Sequence, residues 1–193
     1  MGSGGLIVMD DRSCMVDVAR YFVGFAAAES CGKCVPCRIG TARMREILDR
    51  IVAGEAEPAD LLRLEALADS VRAASLCGLG RTSANPVAST LRYFRHEYRA
   101  QVEDKTGPAG VCRALIAFAI DPERCTGCGL CRKACPTAAV TGRPKSPHAI
   151  DPDFCIKCGA CFDVCPVSIR AVRIGRAVPS AASVSGPSGS RPT

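Results

Sequence analysis

Two stretches, DPERCTGCGLCRKACP at residues 121–136 and DPDFCIKCGACFDVCP at residues 151–166, repeat one pattern thirty residues apart. Eight positions coincide: the Asp-Pro pair, four cysteines, the glycine after the second cysteine and the closing proline. Each stretch reads C-x2-C-x2-C-x3-C-P, so three cysteines crowd one loop and a fourth follows directly before a proline. Repetition at this density indicates a duplicated unit, and we interpret the rest of the chain as serving it.

The spacing is typical of the thiolates that bind [4Fe–4S] clusters in two-cluster ferredoxins, where the fourth cysteine of each run ligates the other cluster. We therefore predict two crossed sets of metal ligands. One set is Cys125, Cys128, Cys131 and Cys165, and the other is Cys155, Cys158, Cys161 and Cys135. Gly129 and Gly159 are predicted cofactor-binding residues, because they let backbone N–H groups approach the sulfurs. Zinc is the alternative, but structural zinc favours two separated cysteine pairs around one tetrahedral ion.

A third group of cysteines lies earlier in the chain. Cys31, Cys34 and Cys37 occur close together, and Cys77 follows forty residues after the last of them. Three thiolates on one loop with a remote fourth again suit a cubane cluster, with a zinc knot as the alternative. The sequence therefore predicts three [4Fe–4S] clusters in all, with Gly32 and Gly78 as further cofactor-binding residues.

The compartment follows from how the fourteen cysteines are used. A secreted chain would pair them as disulfides, whereas a cytosolic chain would use them for metal. The first residues, MGSGGLIVMDD, lack the basic and long apolar regions of a signal peptide. The apolar run at 111–120 is broken by Arg113 and falls short of the roughly 20 residues that span a bilayer. We predict a cytoplasmic protein without a transmembrane segment.

The formal charge of +6 counts every cysteine as neutral. A [4Fe–4S] cluster with four thiolates carries about −2 when oxidised, so three clusters cancel the excess. The sequence also lacks a basic stripe interleaved with aromatic residues, of the kind that binds nucleic acid. We predict no nucleic-acid partner.

Apolar periodicity predicts four amphipathic helices in the first half of the chain. Their approximate ranges are 15–29, 36–53, 58–76 and 85–102. Asn85 is expected as the N-cap of the last helix, with Pro86 in its first turn. Antiparallel helices joined by short loops make a small bundle.

The predicted fold class is α+β, in three parts. Residues 1–104 form an N-terminal four-helix bundle with one [4Fe–4S] site, and residues 105–174 form a ferredoxin-like α+β domain with two. Residues 175–193 are expected to be a disordered tail because they have little apolar content. A strand-like run is expected at residues 6–9, and a hinge at residues 103–110.

The segments GSGGLIVMDD, ESCGKCVPCRIGT and SLCGLG resemble the C-terminal region of the NADH-binding flavoprotein subunit of respiratory complex I. The continuation, through NPVASTLRYFRHEY and PAGVCRALIAFAIDPERC to the paired motif, resembles the β subunit of NAD(P)-linked, often electron-bifurcating, [FeFe] hydrogenases and related formate dehydrogenases. The resemblance covers residues 1 to about 174. It implies that the Cys31 to Cys77 group holds the cluster next to a flavin.

The family's FMN- and NADH-binding domain, with its GRGGAGFP-like loop, has no counterpart in this sequence. The resemblance therefore implies FMN and NAD(P) only on a missing domain or a partner, and no complete active site for NADH oxidation here. The implied partners are a flavin- and NAD(P)-binding domain or subunit, a hydrogenase or formate dehydrogenase catalytic subunit, and a small [2Fe–2S] subunit.

Two cysteines remain outside these groups, Cys14 and Cys112. They are either small buried hydrophobic residues or, with His148, ligands of an accessory zinc site. Related chains carry a cysteine where this chain has Gly107, so such a site would here have lost a ligand.

The predicted function is an electron-transfer subunit or fragment of an NAD(P)H-linked oxidoreductase complex. It relays electrons between a flavin and a hydrogenase, formate dehydrogenase or ferredoxin. The alternative is a free ferredoxin-like carrier whose helical part is a docking adaptor. A zinc-stapled structural module is a third possibility, and it would be colourless.

Metal analysis of anaerobically purified protein separates these classes. We expect about twelve iron and about twelve acid-labile sulfide per chain, since three cubane clusters contain that many. Iron near zero together with three or more zinc would contradict the prediction.

Overall fold

The computed structural model describes residues 7–176. The first half is helical: α1 is Met15–Ala28, α2 Val35–Val52, α3 Pro58–Ala74, α4 Gly78–Ser83 and α5 Asn85–Val102. The predicted helices are present as α1, α2, α3 and α5, but α4 was not expected. The described part of this segment therefore has five helices rather than four. No helix within residues 7–176 has both the length and the apolar character that a membrane span requires.

The expected N-cap at Asn85 is wrong, because Asn85 is already inside α5. The cap position is Ala84, which ends α4 and begins α5 in a helical conformation, so no extended residue is left to cap the helix. Pro86 does lie in the first turn, as predicted. The helix also changes direction at Phe94, whose φ of −125° and ψ of 31° are not helical.

The helices enclose one apolar core. Its fully buried members come from four different helices: Val16, Val23, Met44, Leu48, Ile51, Leu64, Val71, Val87 and Tyr98. Their spacing of three and four residues places them on one face of each helix. Cys112 and Leu115, from the segment that follows α5, belong to the same core. This segment is thus packed on the helices at its far end.

The second half contains short elements. β1 is Ile116–Ile120, α6 Leu130–Ala134, β2 Val140–Thr141, β3 Ala149–Ile150, α7 Ala160–Asp163 and β4 Val172–Arg176. β1 pairs antiparallel with β4, and β2 pairs antiparallel with β3. The core of this half is small, and it includes two cysteines beside apolar side chains. The combination of helices and small sheets confirms the α+β class.

Two boundaries differ from the expectation. Ile7–Met9 form no strand and are exposed, because no other segment offers them a pairing edge. Gly175 and Arg176 belong to β4, paired with Ala117 and Ile116, so they are not part of a tail. Residues 177–193 and residue 6 lie outside the described residues.

Asp60 fixes the start of α3. Its carboxylate is fully buried, and it accepts hydrogen bonds from the Glu57 backbone N–H at 2.9 Å and from Arg50 Nη2 at 2.6 Å. The first bond satisfies a backbone donor that the helix leaves free, and the second ties α3 to α2.

We expect Asp60→Ala to lower the thermal unfolding midpoint of the iron-loaded protein by about 5 °C, since a cap and a buried ion pair are lost together. Asp69→Ala is the matched control. Asp69 pairs with Arg72 at 2.9 Å on the surface, and its removal should shift the midpoint by about 1 °C or less. Anaerobic circular dichroism measures both, and equal shifts would contradict the assigned role of Asp60.

Candidate metal centres

The duplicated motif surrounds two cavities. The first has a volume of about 320 Å³, and its cysteines are Cys125, Cys128, Cys131 and Cys165. Three of them come from the loop before α6 and from α6 itself, whereas Cys165 follows α7 in the other half of the repeat. Apolar side chains such as Ile120 fill most of the remaining wall.

The second cavity has a volume of about 300 Å³ and repeats this arrangement in reverse. Its cysteines are Cys155, Cys158, Cys161 and Cys135. Here the loop and α7 supply three cysteines, and Cys135 arrives from the end of α6. Phe118, Val140 and Ile150 close the apolar side of the cavity. The structure therefore groups the eight cysteines in the two crossed sets that the motif predicts.

Local backbone geometry explains how each half forms its cysteine loop. The Asp121 carboxylate accepts the Glu123 N–H at 3.1 Å, and the Asp151 carboxylate accepts the Asp153 N–H at 3.0 Å. Each bond forms the tight turn that precedes the first cysteine. Gly129 and Gly159 then start α6 and α7 with φ of 77° and 83°, a left-handed conformation that favours glycine.

Gly127 is a requirement that the spacing did not reveal. A Cβ at this position would lie 2.4 Å from the Ser146 backbone nitrogen, so only glycine lets the first cysteine loop pack on the β2–β3 connection. The equivalent position of the second half is Lys157, also left-handed with φ of 55°. The constraint arises from a tertiary contact, which explains why it is absent from the second copy of the motif.

The thiols respond unequally to burial. Burial, reinforced by the neighbouring Cys155 and Cys158, raises the pKa of Cys161 to about 11. Burial likewise raises the pKa of Cys131. For Cys135 burial also acts upward, but hydrogen bonds from Thr137 and nearby backbone groups outweigh it and lower the pKa. Metal must displace protons from the buried thiols, so iron binding at both cavities weakens as the pH falls.

The earlier cysteines lie at one end of the helical core. Cys34 caps α2, Cys37 is buried in its first turn, and Cys77 caps α4. A hydrogen bond from the Leu76 backbone N–H is the main cause that lowers the pKa of Cys34. That contact brings the segment that carries Cys77 directly against the loop that carries Cys34. Cys31 is exposed beside them.

Two glycines allow this approach of α3 and α4 to α2. A Cβ at Gly40 would lie 2.2 Å from Val71 Cγ2, and one at Gly80 would lie 2.6 Å from Ser75 Cβ and 3.2 Å from Cys37 Cβ. Any side chain would push the Cys77 segment away from α2. The sequence prediction singled out Gly32, whose φ is 76°, and Gly78, whose Cβ would meet no protein atom. It missed Gly40 and Gly80.

The accessory zinc site is not formed. Cys14 and Cys112 do meet, but His148 instead lines the first cavity, next to Cys125, Cys128 and Cys131. Across residues 7–176 no three His, Cys, Asp or Glu side chains lie close enough together to hold a single ion. A four-iron cluster does not need that closeness, because each of its thiolates binds a different iron.

His148 is itself suited to a sulfur-rich neighbour. The residue is 5% exposed, its ring packs on the Gly142 backbone, and its Nδ1 has no hydrogen-bond partner in the described chain. A buried ring nitrogen beside four cysteines can donate to the sulfur of a bound group, which is how such groups are oriented and tuned. The residues present therefore fit an iron–sulfur cluster in this cavity.

Comparison with known families agrees with this geometry. Residues 17–101 match the NADH-ubiquinone oxidoreductase-F iron-sulfur binding region, and residues 118–174 match a 4Fe-4S dicluster domain. The first match spans the Cys31 to Cys77 group, and the second spans the duplicated motif. The chain thus binds [4Fe–4S] clusters.

Curated relatives are longer proteins. The chain is 54% identical over 148 residues to the NADP-reducing hydrogenase subunit HndC of Solidesulfovibrio fructosivorans, covering 77% of this chain and 30% of that protein. It is 41% identical over 108 residues to an F-type NADH-quinone oxidoreductase subunit of Rhizobium meliloti, covering 56% and 26%. It is 33% identical over 153 residues to the NADP(+)-dependent formate dehydrogenase subunit beta of Moorella thermoacetica, covering 75% and 22%. The chain therefore spans less than a third of each relative.

The crossed ligand sets can be tested with paired alanine variants. In the crossed arrangement Cys135 and Cys158 serve one cluster, so Cys135→Ala with Cys158→Ala should leave about eight iron per chain. Cys135→Ala with Cys128→Ala removes a ligand from each cluster and should leave about four. Iron analysis and the electron paramagnetic resonance of the reduced protein read the outcome. The opposite iron contents would show that each motif holds its own cluster.

Proposed function

We propose that this chain, which belongs to the NADH-ubiquinone oxidoreductase-F iron–sulfur family, holds three [4Fe–4S] clusters and conducts electrons between a flavin-bearing partner and a second redox partner. The observation that carries the proposal is the convergence of the duplicated cysteines on two adjacent cavities in crossed sets of four. The proposed ligands of the third cluster are Cys31, Cys34, Cys37 and Cys77.

The clusters, when bound, supply one-electron transfer at potentials that their surroundings set. The chain supplies the surroundings. Its thiolates hold the iron, its apolar walls at Ile120 and Phe118 keep water away, and its N–H donors face the sulfurs. No nucleophile or general base is needed for this task, because no bond in a substrate is made or broken.

The duplicated half supports passage between its two clusters. α6 and α7 pack against each other, and each carries one cavity's inner cysteine and leads to the other cavity's fourth ligand. The same short helices therefore connect both sites. A rigid pair of sites at a fixed separation needs no motion of the chain for an electron to pass.

The helical-core site is open to a partner. Cys31 and Cys77 are exposed, and so are the apolar side chains of Val35, Leu76 and Leu79 beside them. Apolar side chains that surround an exposed redox site are suited to a protein partner that excludes water from the contact. We assign this end of the chain to the flavin-bearing partner.

The second partner lies at the duplicated half. Phe154, Ile156 and Val167 are exposed there, close in sequence to the proposed ligands of that half. HndC is named as a subunit of an NADP-reducing hydrogenase, and the Moorella relative as a subunit of a formate dehydrogenase. A hydrogenase or formate dehydrogenase catalytic subunit, with a small [2Fe–2S] subunit, is therefore the proposed assembly. Exposed apolar groups at both ends favour it over a free carrier.

The order of the sites predicts different effects of two single substitutions in the complex with the flavin-bearing partner. Cys77→Ala should prevent NAD(P)H from reducing the ferredoxin-like pair, although dithionite still reduces it. Cys158→Ala should leave NAD(P)H reduction of the helical-core cluster at its normal rate while delivery to the second partner stops. Freeze-quench electron paramagnetic resonance distinguishes the signals.

Rapid NAD(P)H reduction of the pair in Cys77→Ala would contradict the proposed order. Iron analysis is the control, since each variant should lose about four iron and no more. A chain that stays monomeric and exchanges electrons without any flavin-bearing partner would instead support the free carrier.

A further inference from the structure

Cys14 and Cys112 form a thiol pair that the electron-transfer sites do not use. Their Sγ atoms lie 3.4 Å apart, although 98 positions separate the two residues in the chain. The residues are 3% and 5% exposed. Neither lines a four-cysteine cavity, and neither belongs to the Cys31 to Cys77 group. These two thiols are therefore free to react with each other.

The surroundings of Cys14 favour its thiolate. Gln101 is buried and donates its Nε2–H to Cys14 Sγ at 3.0 Å. Cys14 also occupies the N-cap of α1, a helix of fourteen residues, where free backbone N–H groups point toward its side chain. Hydrogen bonding from the Cys112 thiol is the largest cause that lowers the pKa of Cys14, with the N–H groups of Asp17, Gln101 and Val16 adding to it.

Cys112 is the complementary partner. Its hydrogen bond to Cys14, followed by burial, raises its pKa, so its proton stays on the sulfur while Cys14 is the ionised member. A thiolate with an adjacent thiol is the arrangement that thiol–disulfide exchange requires, with one group to attack and one to resolve. No third metal-ligating side chain accompanies the pair among residues 7–176.

Both cysteines lie where the backbone can open locally. Cys14 ends the irregular residues 7–14, and Cys112 lies in the irregular segment between α5 and β1. The neighbours Ser13, Met15, Pro108 and Ala109 line an open surface cavity. Opening the end of an element costs far less than unfolding the core, so a small reagent can reach the pair.

We propose that Cys14 and Cys112 form a reversible dithiol–disulfide site, oxidised by low-molecular-weight disulfides such as glutathione disulfide. The Cys14 thiolate attacks one sulfur of the reagent, whose S–S bond breaks and releases a first thiol. Cys112 then gives up its proton and attacks Cys14 sulfur, which releases the second thiol. Two protein S–H groups become one S–S bond, and one small disulfide becomes two thiols.

The link would join the start of α1 to the segment that leads into β1. These positions anchor the helical half and the entrance to the ferredoxin-like half. A covalent link over this long stretch of chain limits the unfolded states and holds the two segments together. Under oxidising conditions the protein would thus become harder to unfold, with all proposed cluster ligands untouched.

The test uses the anaerobically purified, cluster-loaded protein in glutathione buffers of graded redox ratio, quenched with acid and alkylated. Trypsin releases the two cysteines on short peptides, residues 13–20 and 106–113. We expect mass spectrometry to find these two peptides linked to each other, increasingly so as the buffer becomes more oxidising. The iron content should stay constant.

Two conservative variants distinguish the roles. Cys112→Ser lacks the resolving thiol, so Cys14 should accumulate as a mixed disulfide with glutathione. Cys14→Ser should leave Cys112 with about tenfold less of this adduct, because its thiol is less ionised. Iron content and circular dichroism equal to those of the unaltered protein establish that both variants fold.

Three results would overturn the proposal. They are the absence of the linked peptide at every redox ratio, equal adduct formation on the two single variants, and one zinc per chain that both variants lose. The last result would mean that the pair is held by metal. Each of these leaves the proposed electron-transfer function unaffected, because no cluster ligand is involved.

Discussion

Several thiolates brought into one small volume repel one another, and this constraint explains the form of the duplicated half. Burial and neighbouring cysteines raise the pKa of Cys161, and burial raises that of Cys131, so the arrangement is unfavourable for thiolates alone. Iron removes this cost by replacing the protons. The small core beside the cavities, which contains both cysteines, is consistent with a unit that draws much of its folding energy from its clusters.

The helical half meets the same constraint differently. Its apolar core is extensive, and Asp60, Gly40 and Gly80 fix how closely α3 and α4 approach α2. The cysteines then sit at the edge of a structure that packing already determines. This half should hold its shape better without iron than the duplicated half, because its helices bury many more apolar side chains. One chain thus combines a site built on a core with two sites that build their own.

Sequence reasoning succeeded where the signal was local or repeated. The motif spacing grouped the eight cysteines in the sets that line the two cavities, and apolar periodicity located α1, α2, α3 and α5. It missed α4, because six residues with two glycines carry no helical periodicity. It also misplaced the cap at Asn85, since the fusion of α4 and α5 is a tertiary feature.

Residues defined by contacts between distant segments could not be predicted. Gly127, Gly40 and Gly80 are required by atoms that lie far away in the chain. His148 and the thiol pair show the same limit, because spacing alone suggested a shared zinc site, whereas the fold places the imidazole at one cavity and the pair elsewhere. The interpretation of single residues thus depended on the fold more than that of the repeated motifs did.

The central claim is that twelve cysteines of this chain hold three iron clusters, two of them in crossed sets. Anomalous diffraction at the iron absorption edge, from anaerobically grown crystals, tests it most directly. The account predicts three compact iron peaks per chain, with Cys165 against the peak beside Cys125 and Cys135 against the peak beside Cys155. Fewer than three peaks, single-atom peaks at the zinc edge, or Cys135 bound with Cys125 would contradict it.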